Sequence, residues 1–297
     1  MLKQTTINKR LVARPGASLA ILFGTFFFFM CLFSLISSLL TPHISDPTTL
    51  MRVLTLFQTI FIFIVPALIT AVLSTKLPAT MLAIDHKPQL YPTLLTILAL
   101  VTAIPAMNMI IEWNNNLTLP ESMAELESTL RNLEESAASA TQALMGTNSV
   151  GSFIVALLIV GVMAGLSEEL FFRGALQRIL ASGRLNPQVA IWIAAFIFSF
   201  MHFQFFGFVP RLILGLFFGY ILLWGNNLWY CVIAHATNNI LAVTAMWMSE
   251  RKGSSINLDT LGQTVDSTIP QLPLVIISIV ATTLVITALK KQLNKNT

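Results

Sequence analysis

Long apolar stretches separated by short polar segments are the dominant pattern along this chain. Most have the length of about 20 residues that an α-helix needs to cross roughly 30 Å of hydrocarbon. They lack the period-two alternation of barrel strands, so the pattern predicts helices, which satisfy their own backbone hydrogen bonds in lipid. We predict an all-α, polytopic transmembrane helical bundle of about eight spans, at roughly 18–40, 53–74, 92–111, 151–172, 189–206, 210–225, 227–248 and 271–290.

The boundary between the fifth and sixth predicted spans is the least sharply defined. Gly207 and Pro210 interrupt a run that is otherwise apolar. Both residue types mark turns, and a turn at membrane depth would join a re-entrant pair of helices. Two full crossings and a re-entrant pair therefore both fit this stretch.

The longest polar segment covers about residues 112–150. Within it three leucines recur at helical spacing between glutamates, and Pro120 followed by Glu121 is typical of a helix start. We predict an acidic amphipathic helix over residues 120–145. A solvated connector is the favoured interpretation of this helix, and a lid or a partner surface is the alternative.

Composition agrees with a single membrane domain. Only 10% of the residues are charged and 55% are hydrophobic, and no polar segment is long enough to bury a core of its own. We divide the chain into an N-terminal three-span region with the acidic loop (1–150), a central core (151–248), and a loop with the final span (249–297).

Positive charges are distributed unevenly between the two sides of the predicted bundle. If the amino terminus is cytoplasmic, twelve Lys and Arg residues fall on the cytoplasmic side and five on the other, the bias typical of membrane proteins. We therefore predict an integral, multi-pass protein of the cell (inner) membrane with both termini in the cytoplasm. The net charge of +4 then needs no nucleic acid, and the lipid bilayer is the expected partner. The twelve are Lys3, Lys9, Arg10, Arg14, Lys76, Lys87, Arg173, Arg178, Arg184, Lys290, Lys291 and Lys295, and the five are Arg52, Arg131, Arg211, Arg251 and Lys252.

Ionisable side chains within the apolar stretches are the candidate functional residues. Glu168 and Glu169 end the fourth apolar run, and His202 and His235 lie in later runs. Such groups are rare at membrane depth, where they usually face a bundle interior or a water-filled cavity. The four side chains are therefore candidates for one site.

Spacing adds three partners to these residues. Side chains four apart lie on one face of a helix and can contact each other. If Glu169 pairs with an arginine in this way, Glu168, rotated by about 100° on the helix, is left free for other chemistry. The pairs are Glu169 with Arg173, Phe198 with His202, and His235 with Asn239.

A glutamate and a histidine in a poorly solvated cavity can hold a water molecule and deprotonate it. We expect Glu168 and His202 to act in this way, while His235 and Asn239 donate hydrogen bonds to a developing oxyanion. Alternatively, Glu168, His202 and His235 provide the ligand types of a catalytic zinc site. The H-E-x-x-H motif of zinc proteases is absent, so the cofactor stays open between none and a divalent metal such as zinc.

Two functions of other classes are alternatives to hydrolysis. The same ionisable groups could relay protons in a proton-coupled transporter, although no internal repeat supports this. The chain could also be a non-catalytic membrane protein that binds a partner. Hydrolysis is favoured because base, histidine and amide occur together in neighbouring apolar runs.

The motifs E-E-x-x-x-R, F-x-x-x-H and H-x-x-x-N occur in this order between about residues 150 and 245, and the arginine is flanked by two phenylalanines and a glycine. In these features the chain resembles the CPBP (ABI) family of intramembrane proteases, the CAAX prenyl protease 2 or Rce1-like type. The resemblance implies an intramembrane endopeptidase with residues 151–248 as its catalytic core. It implies Glu168, His202, His235 and Asn239 as catalytic residues, and Glu169, Arg173 and Phe198 as supporting residues.

The resemblance leaves substrate and cofactor open. Eukaryotic relatives remove the last three residues of prenylated C-a-a-X tails, whereas many prokaryotic relatives process or bind unprenylated membrane peptides. The family is usually classed with the metalloproteases, and a metal-free mechanism with a glutamate-activated water is argued for its members. Both mechanisms fit the residues of this sequence.

Overall fold

The computed structural model describes residues 12, 14–183, 185–251 and 271–295, and within them it forms a helical bundle without strands. Lys3, Lys9, Arg10, Arg184 and Lys252, used above for orientation, lie outside the described residues. The helices are α1 (Pro15–Leu40), α2 (Pro47–Ser74), α3 (Leu90–Asn115), α4 (Ala124–Met145), α5 (Val150–Ser182), α6 (Pro187–Phe200), α7 (Phe208–Gly225), α8 (Leu228–Arg251) and α9 (Gln271–Leu293), with short helical turns at Thr41–His43, Pro78–Met81, Glu121–Met123 and Phe205–Gly207.

Seven helices of the described residues are long and apolar enough to cross a membrane, which confirms the predicted all-α transmembrane bundle. The fifth predicted span, 189–206, differs from the structure, because α6 has only 14 residues and reaches about 21 Å. The chain leaves the helix soon after Phe200, and Phe203 adopts a left-handed backbone with φ 53°. Apolar periodicity does not reveal such a break, since the residues after it are also hydrophobic.

Helix α5 extends ten residues beyond the predicted end of the fourth span, so the glutamate pair lies well inside it. Its course includes two π-helical stretches, Leu157–Met163 and Leu170–Gln177, which flank the pair. Such turns are frequent at functional sites. Arg173 and Arg178 are buried in this helix, and the side of the membrane on which they lie stays a prediction.

Two glycines allow α5 to approach α8 closely. A Cβ atom on Gly165 would lie 3.0 Å from the backbone nitrogen of Ala236, and one on Gly161 would lie 2.9 Å from the side chain of Ile240. Small residues four apart are a common means of close packing between membrane helices. The contact brings the glutamates of α5 next to His235 of α8.

An aromatic cluster packs α5 against α1 and α2. Phe171 and Phe172 are almost fully buried, and the Phe171 ring centroid lies 5.3 Å from that of Phe26 and 5.6 Å from that of Phe63. Burying such rings stabilises helix packing through large apolar contact areas. Helices α1 and α2 therefore support the part of α5 that carries the glutamates.

The amphipathic helix predicted over 120–145 is present as α4, and it also contacts the bundle, while its role as connector, lid or partner surface stays a prediction. Arg52 of α2 donates hydrogen bonds to the carbonyl oxygens of Leu144 and Met145 at the end of α4. Nearer its start, the Arg131 guanidinium lies 3.4 Å from the ring centroid of Phe206. The helix is thus docked on the bundle over much of its length.

Candidate active site

A cavity of about 270 Å³ lies between α4, α5, α6, α7 and α8. Its wall includes Glu168, Phe198, His202, His235 and Asn239. Residues from all three sequence motifs therefore face one cavity inside the bundle. Of the seven candidates, Glu169 and Arg173 are the two that do not line it.

Glu168 presents a carboxylate oxygen that is buried and has no hydrogen-bond partner among the described residues. This oxygen, Oε2, lies 3.8 Å from His235 Nε2, which is too long for a hydrogen bond. The side chain is 18% exposed, so the carboxylate is sheltered but accessible through the cavity. Buried polar atoms without partners are uncommon in folded proteins, and a catalytic role is one established reason for them.

Glu169 is fully buried behind the cavity wall and is held by two donors. Its Oε1 accepts from Arg173 Nη1 at 2.7 Å and from His235 Nδ1 at 2.8 Å. The first contact confirms the pairing predicted from the four-residue spacing, and the second was not predicted. Because a carboxylate accepts at Nδ1, that nitrogen carries a hydrogen, and Nε2 of His235 is the nitrogen that faces Glu168.

Arg173 connects three helices at the base of the site. Besides Glu169 of its own helix, it donates from Nη2 to the carbonyl oxygen of Gly215 in α7 at 3.1 Å. Its guanidinium carbon lies 4.4 Å from the ring centroid of Phe198 in α6, a cation–π geometry. This completely buried cation therefore fixes the relative positions of α5, α6 and α7.

Aromatic rings surround both histidines. The Phe198 ring centroid lies 5.1 Å from that of His202 and 5.7 Å from that of His235, in edge-on geometries. Phe218 of α7 stacks on His235 at 5.2 Å. Sequence reasoning found Phe198 through its spacing but missed Phe218, which carries no such signal in a chain with 21 phenylalanines.

His202 lies just beyond the end of α6, where the chain turns towards α7. Its Nδ1 lies 2.8 Å from the carbonyl oxygen of Phe198 and donates to it. This contact sets the tautomer, so Nε2 is left to accept a hydrogen bond from a ligand in the cavity. Glu168 lies 14 residues before the end of α5 at Ser182, and His202 follows α6, which is 14 residues long and begins soon after α5 ends. Glu168 and His202 therefore lie at a similar depth in the bundle.

Asn239 is anchored to α5 through one amide hydrogen. Its Nδ2 donates to the carbonyl oxygen of Val160 at 3.0 Å, within the first π-helical stretch. Its Oδ1 accepts from Nδ2 of Asn238 at 3.3 Å, and Asn238 also lines the cavity. Since an amide nitrogen carries two hydrogens, one remains for a ligand.

The zinc ligand set suggested for Glu168, His202 and His235 does not fit the observed arrangement. Across the described residues, no group of three or more His, Cys, Asp or Glu side chains could hold a metal ion. The metalloprotease alternative is therefore not supported.

Two residues of the cavity wall, Thr141 and Arg211, are not among the site residues predicted from the sequence. Thr141 projects from α4, which was interpreted as a solvated connector. Arg211 of α7, which the charge pattern places on the non-cytoplasmic side, lines the cavity and donates from Nη2 to Gln204 Oε1 at 2.6 Å. A cation within an apolar run was the available signal for Arg211.

The comparison with known proteins concerns the segment that carries most of this cavity. Residues 150–241 match the model of the family described as type II CAAX prenyl endopeptidase Rce1-like, and the matched segment contains all seven candidate residues. The match confirms the resemblance inferred from the motifs and implies an intramembrane CAAX protease in a multi-pass membrane protein. No curated protein and no solved structure matches the chain significantly.

Proposed function

We propose that this protein is an intramembrane endopeptidase that hydrolyses a peptide bond of a membrane-associated protein or peptide, using a water molecule activated by Glu168 and His202. The observation that supports it most strongly is the unpartnered Glu168 Oε2 in a cavity that His202 also lines. A carboxylate in this setting is suited to accept a proton from water.

In the proposed reaction, the water lies between Glu168 and His202. It donates one hydrogen bond to the Glu168 carboxylate and the other to His202 Nε2. As the water oxygen bonds to the carbonyl carbon, its proton passes to Glu168. The same proton then moves to the nitrogen of the leaving amine when the carbon–nitrogen bond breaks.

The developing oxyanion would lie near His235 and Asn239. Asn239 offers its second amide hydrogen. Because His235 gives its Nδ1 hydrogen to Glu169, it donates from Nε2 only as an imidazolium, the form that the oxyanion role requires. A positive donor beside the developing charge stabilises the transition state more than the ground state.

Glu169 and Arg173 support this arrangement without contacting the substrate. Glu169 fixes the ring of His235, and Arg173 holds Glu169 while bracing α7. Phe198 completes the support through its contacts with Arg173 and with both imidazoles. Positioning of this kind is what proton transfer and oxyanion binding require.

The experiment that tests the proposal uses purified protein in liposomes with quenched-fluorescent membrane peptides. The peptides include a farnesylated one that ends in a C-a-a-X tetrapeptide and its unprenylated counterpart. We expect wild type to cleave at least one peptide and Glu168→Gln to lose cleavage by about 100-fold or more, since a general base contributes about 10²–10⁴-fold.

The matched control is Glu125→Gln, which removes an exposed carboxylate from α4 and leaves the cavity unchanged. It should cleave at the wild-type rate. Cleavage by Glu168→Gln at the rate of this control, in protein that melts like wild type, would show that the assignment of the base is wrong.

A further inference from the structure

The turn that follows His202 is built from an unusual backbone and needs support from other helices. Phe203 has φ 53°, a conformation that is costly for a residue with a bulky side chain. Gln204 is extended, and a short helical turn, Phe205–Gly207, leads into α7. Since His202 stands directly before this segment, its position depends on what holds residues 203–207.

Glu134 of α4 holds the turn with both of its carboxylate oxygens. Oε1 accepts from the backbone nitrogen of Phe206 at 2.8 Å, and Oε2 accepts from Gln204 Nε2 at 2.9 Å. Gln204 in turn accepts from Arg211 on the cavity wall through Oε1 and through its backbone oxygen. Hydrogen bonds to an ionised carboxylate are among the stronger ones in proteins.

A residue at the end of α3 also binds the turn 203–207 and the start of α7 through hydrogen bonds. Asn114, which is buried, donates from Nδ2 to the carbonyl oxygen of Phe205 at 3.3 Å and accepts from the Val209 backbone nitrogen at 2.8 Å. Asn114 and Glu134 both lie outside the family-matched segment 150–241. Part of the support for His202 therefore comes from a region that the family match does not cover.

We propose that Glu134 is a positioning residue for the proposed hydrolysis, setting His202 in the cavity by bracing residues 203–207. The inference rests on the proposed function. Helix α4 also places Thr141 in the cavity wall, so the helix that anchors the turn bounds the substrate space as well. Catalytic groups need placement to within a fraction of an ångström. The turn that contains the left-handed Phe203 can keep His202 in place only while the hydrogen bonds to the turn persist.

Glu134→Gln tests the proposal, because it keeps the shape of the side chain while removing its charge and one of its two acceptor oxygens. Glu135→Gln is the matched control, since it makes the same change at an exposed neighbour on the same helix. A reciprocal variant, Glu134→Gln with Gln204→Glu, exchanges amide and carboxylate. In it the amide can accept from Phe206 and donate to the new carboxylate, which can still accept from Arg211.

With the peptide that wild type cleaves, we expect Glu134→Gln to lower kcat by about 10- to 100-fold, as a displacement of about 1 Å can do. KM and the melting temperature should stay at wild-type values. The reciprocal variant should recover most of the lost kcat. Gln204→Glu alone places two carboxylates face to face, and its kcat should stay below that of wild type. A bond that only stabilises the fold would change the melting temperature and folded yield instead.

Hydrogen exchange of the amides in residues 203–209 provides a readout that needs no substrate. Exchange should be at least 10-fold faster in Glu134→Gln than in Glu135→Gln, and the reciprocal variant should restore protection. Unchanged exchange, a kcat equal to that of Glu135→Gln, or a loss that the reciprocal exchange leaves in place would each overturn the proposal. If Glu168→Gln is inactive while Glu134→Gln is fully active, this inference alone fails and the proposed function stands.

Discussion

At the scale of single residues, the two adjacent glutamates have contrasting surroundings. Glu169 is fully buried, and its Oε1 accepts from Arg173 and His235, whereas Glu168 lines the cavity. The Oε2 of each glutamate has no hydrogen-bond partner among the described residues. The difference follows from the rotation of about 100° between neighbours on a helix. Two identical side chains can therefore serve as a structural anion and as a candidate base.

Glu169→Gln should destabilise the protein, because it leaves the Arg173 guanidinium without its anion in a fully buried site. Removing one partner of a buried pair costs about 3–5 kcal/mol in free energy of unfolding. Unfolding in mixed micelles on titration with a denaturing detergent measures this, with Glu125→Gln as the surface control. An unfolding free energy equal to that of the control would contradict the structural role of the pair.

Spacing in the sequence predicted local contacts and could not predict distant ones. Arg173 and Glu169 share a helix, so four-residue periodicity was enough to pair them. The contact between Glu169 and His235 joins residues 66 positions apart and depends on how α5 packs against α8. The same holds for Phe218 and for Glu134, whose partners lie on other helices.

At the scale of helices, the approach of α5 to α8 sets the geometry of the site. Gly165 leaves no room for a side chain against the backbone of Ala236. Apolar periodicity located α5 and α8 but placed the end of α5 too early. The reason is that Arg173 resembles a charge at a helix end when its buried partners are not known. It also extended α6 too far, as the break at Phe203 is made by backbone conformation rather than by polarity.

Gly165→Ala should push these helices apart, because the added Cβ would lie 3.0 Å from the nitrogen and 3.3 Å from the Cα of Ala236. We expect a loss of about 1–3 kcal/mol in stability, typical of overpacking, and slower peptide cleavage as His235 moves away from Glu168. Thermal unfolding in detergent and the cleavage assay measure the two effects.

Gly24→Ala is the control for this change, since a Cβ there meets nothing within 4 Å. It places the same methyl group on another membrane helix. Equal melting temperatures for the two variants would argue against a close contact at Gly165.

At the scale of the whole molecule, the cavity draws on more of the chain than the family match covers. Thr141 and Met246, which lie on either side of residues 150–241, both line it. The division of the chain at 150 and 248 remains a prediction, as does its orientation in the cell membrane. The predicted orientation depends on the distribution of positive charges between the two sides, of which Arg173 and Arg178 are buried in the bundle.

We expect the connection after α2 to be cytoplasmic and the start of the α4 segment to be on the other side. Single cysteines at two exposed positions, Lys87→Cys and Glu121→Cys, test this in a background where Cys31 and Cys231 are replaced by alanine. A membrane-impermeant maleimide applied to intact cells should label Glu121→Cys alone. Labelling of Lys87→Cys instead would reverse the proposed topology.

The shortness of α6 has a consequence for how the proposed reaction is supplied. If α6 starts at one surface of a hydrocarbon layer of about 30 Å, its length of about 21 Å leaves His202 roughly 9 Å beneath the other surface. Every turnover consumes one water molecule, which must cross that remaining depth. The cleavage rate should therefore depend on the lipid, because shorter acyl chains thin the layer and shorten the path of the water to the peptide bond.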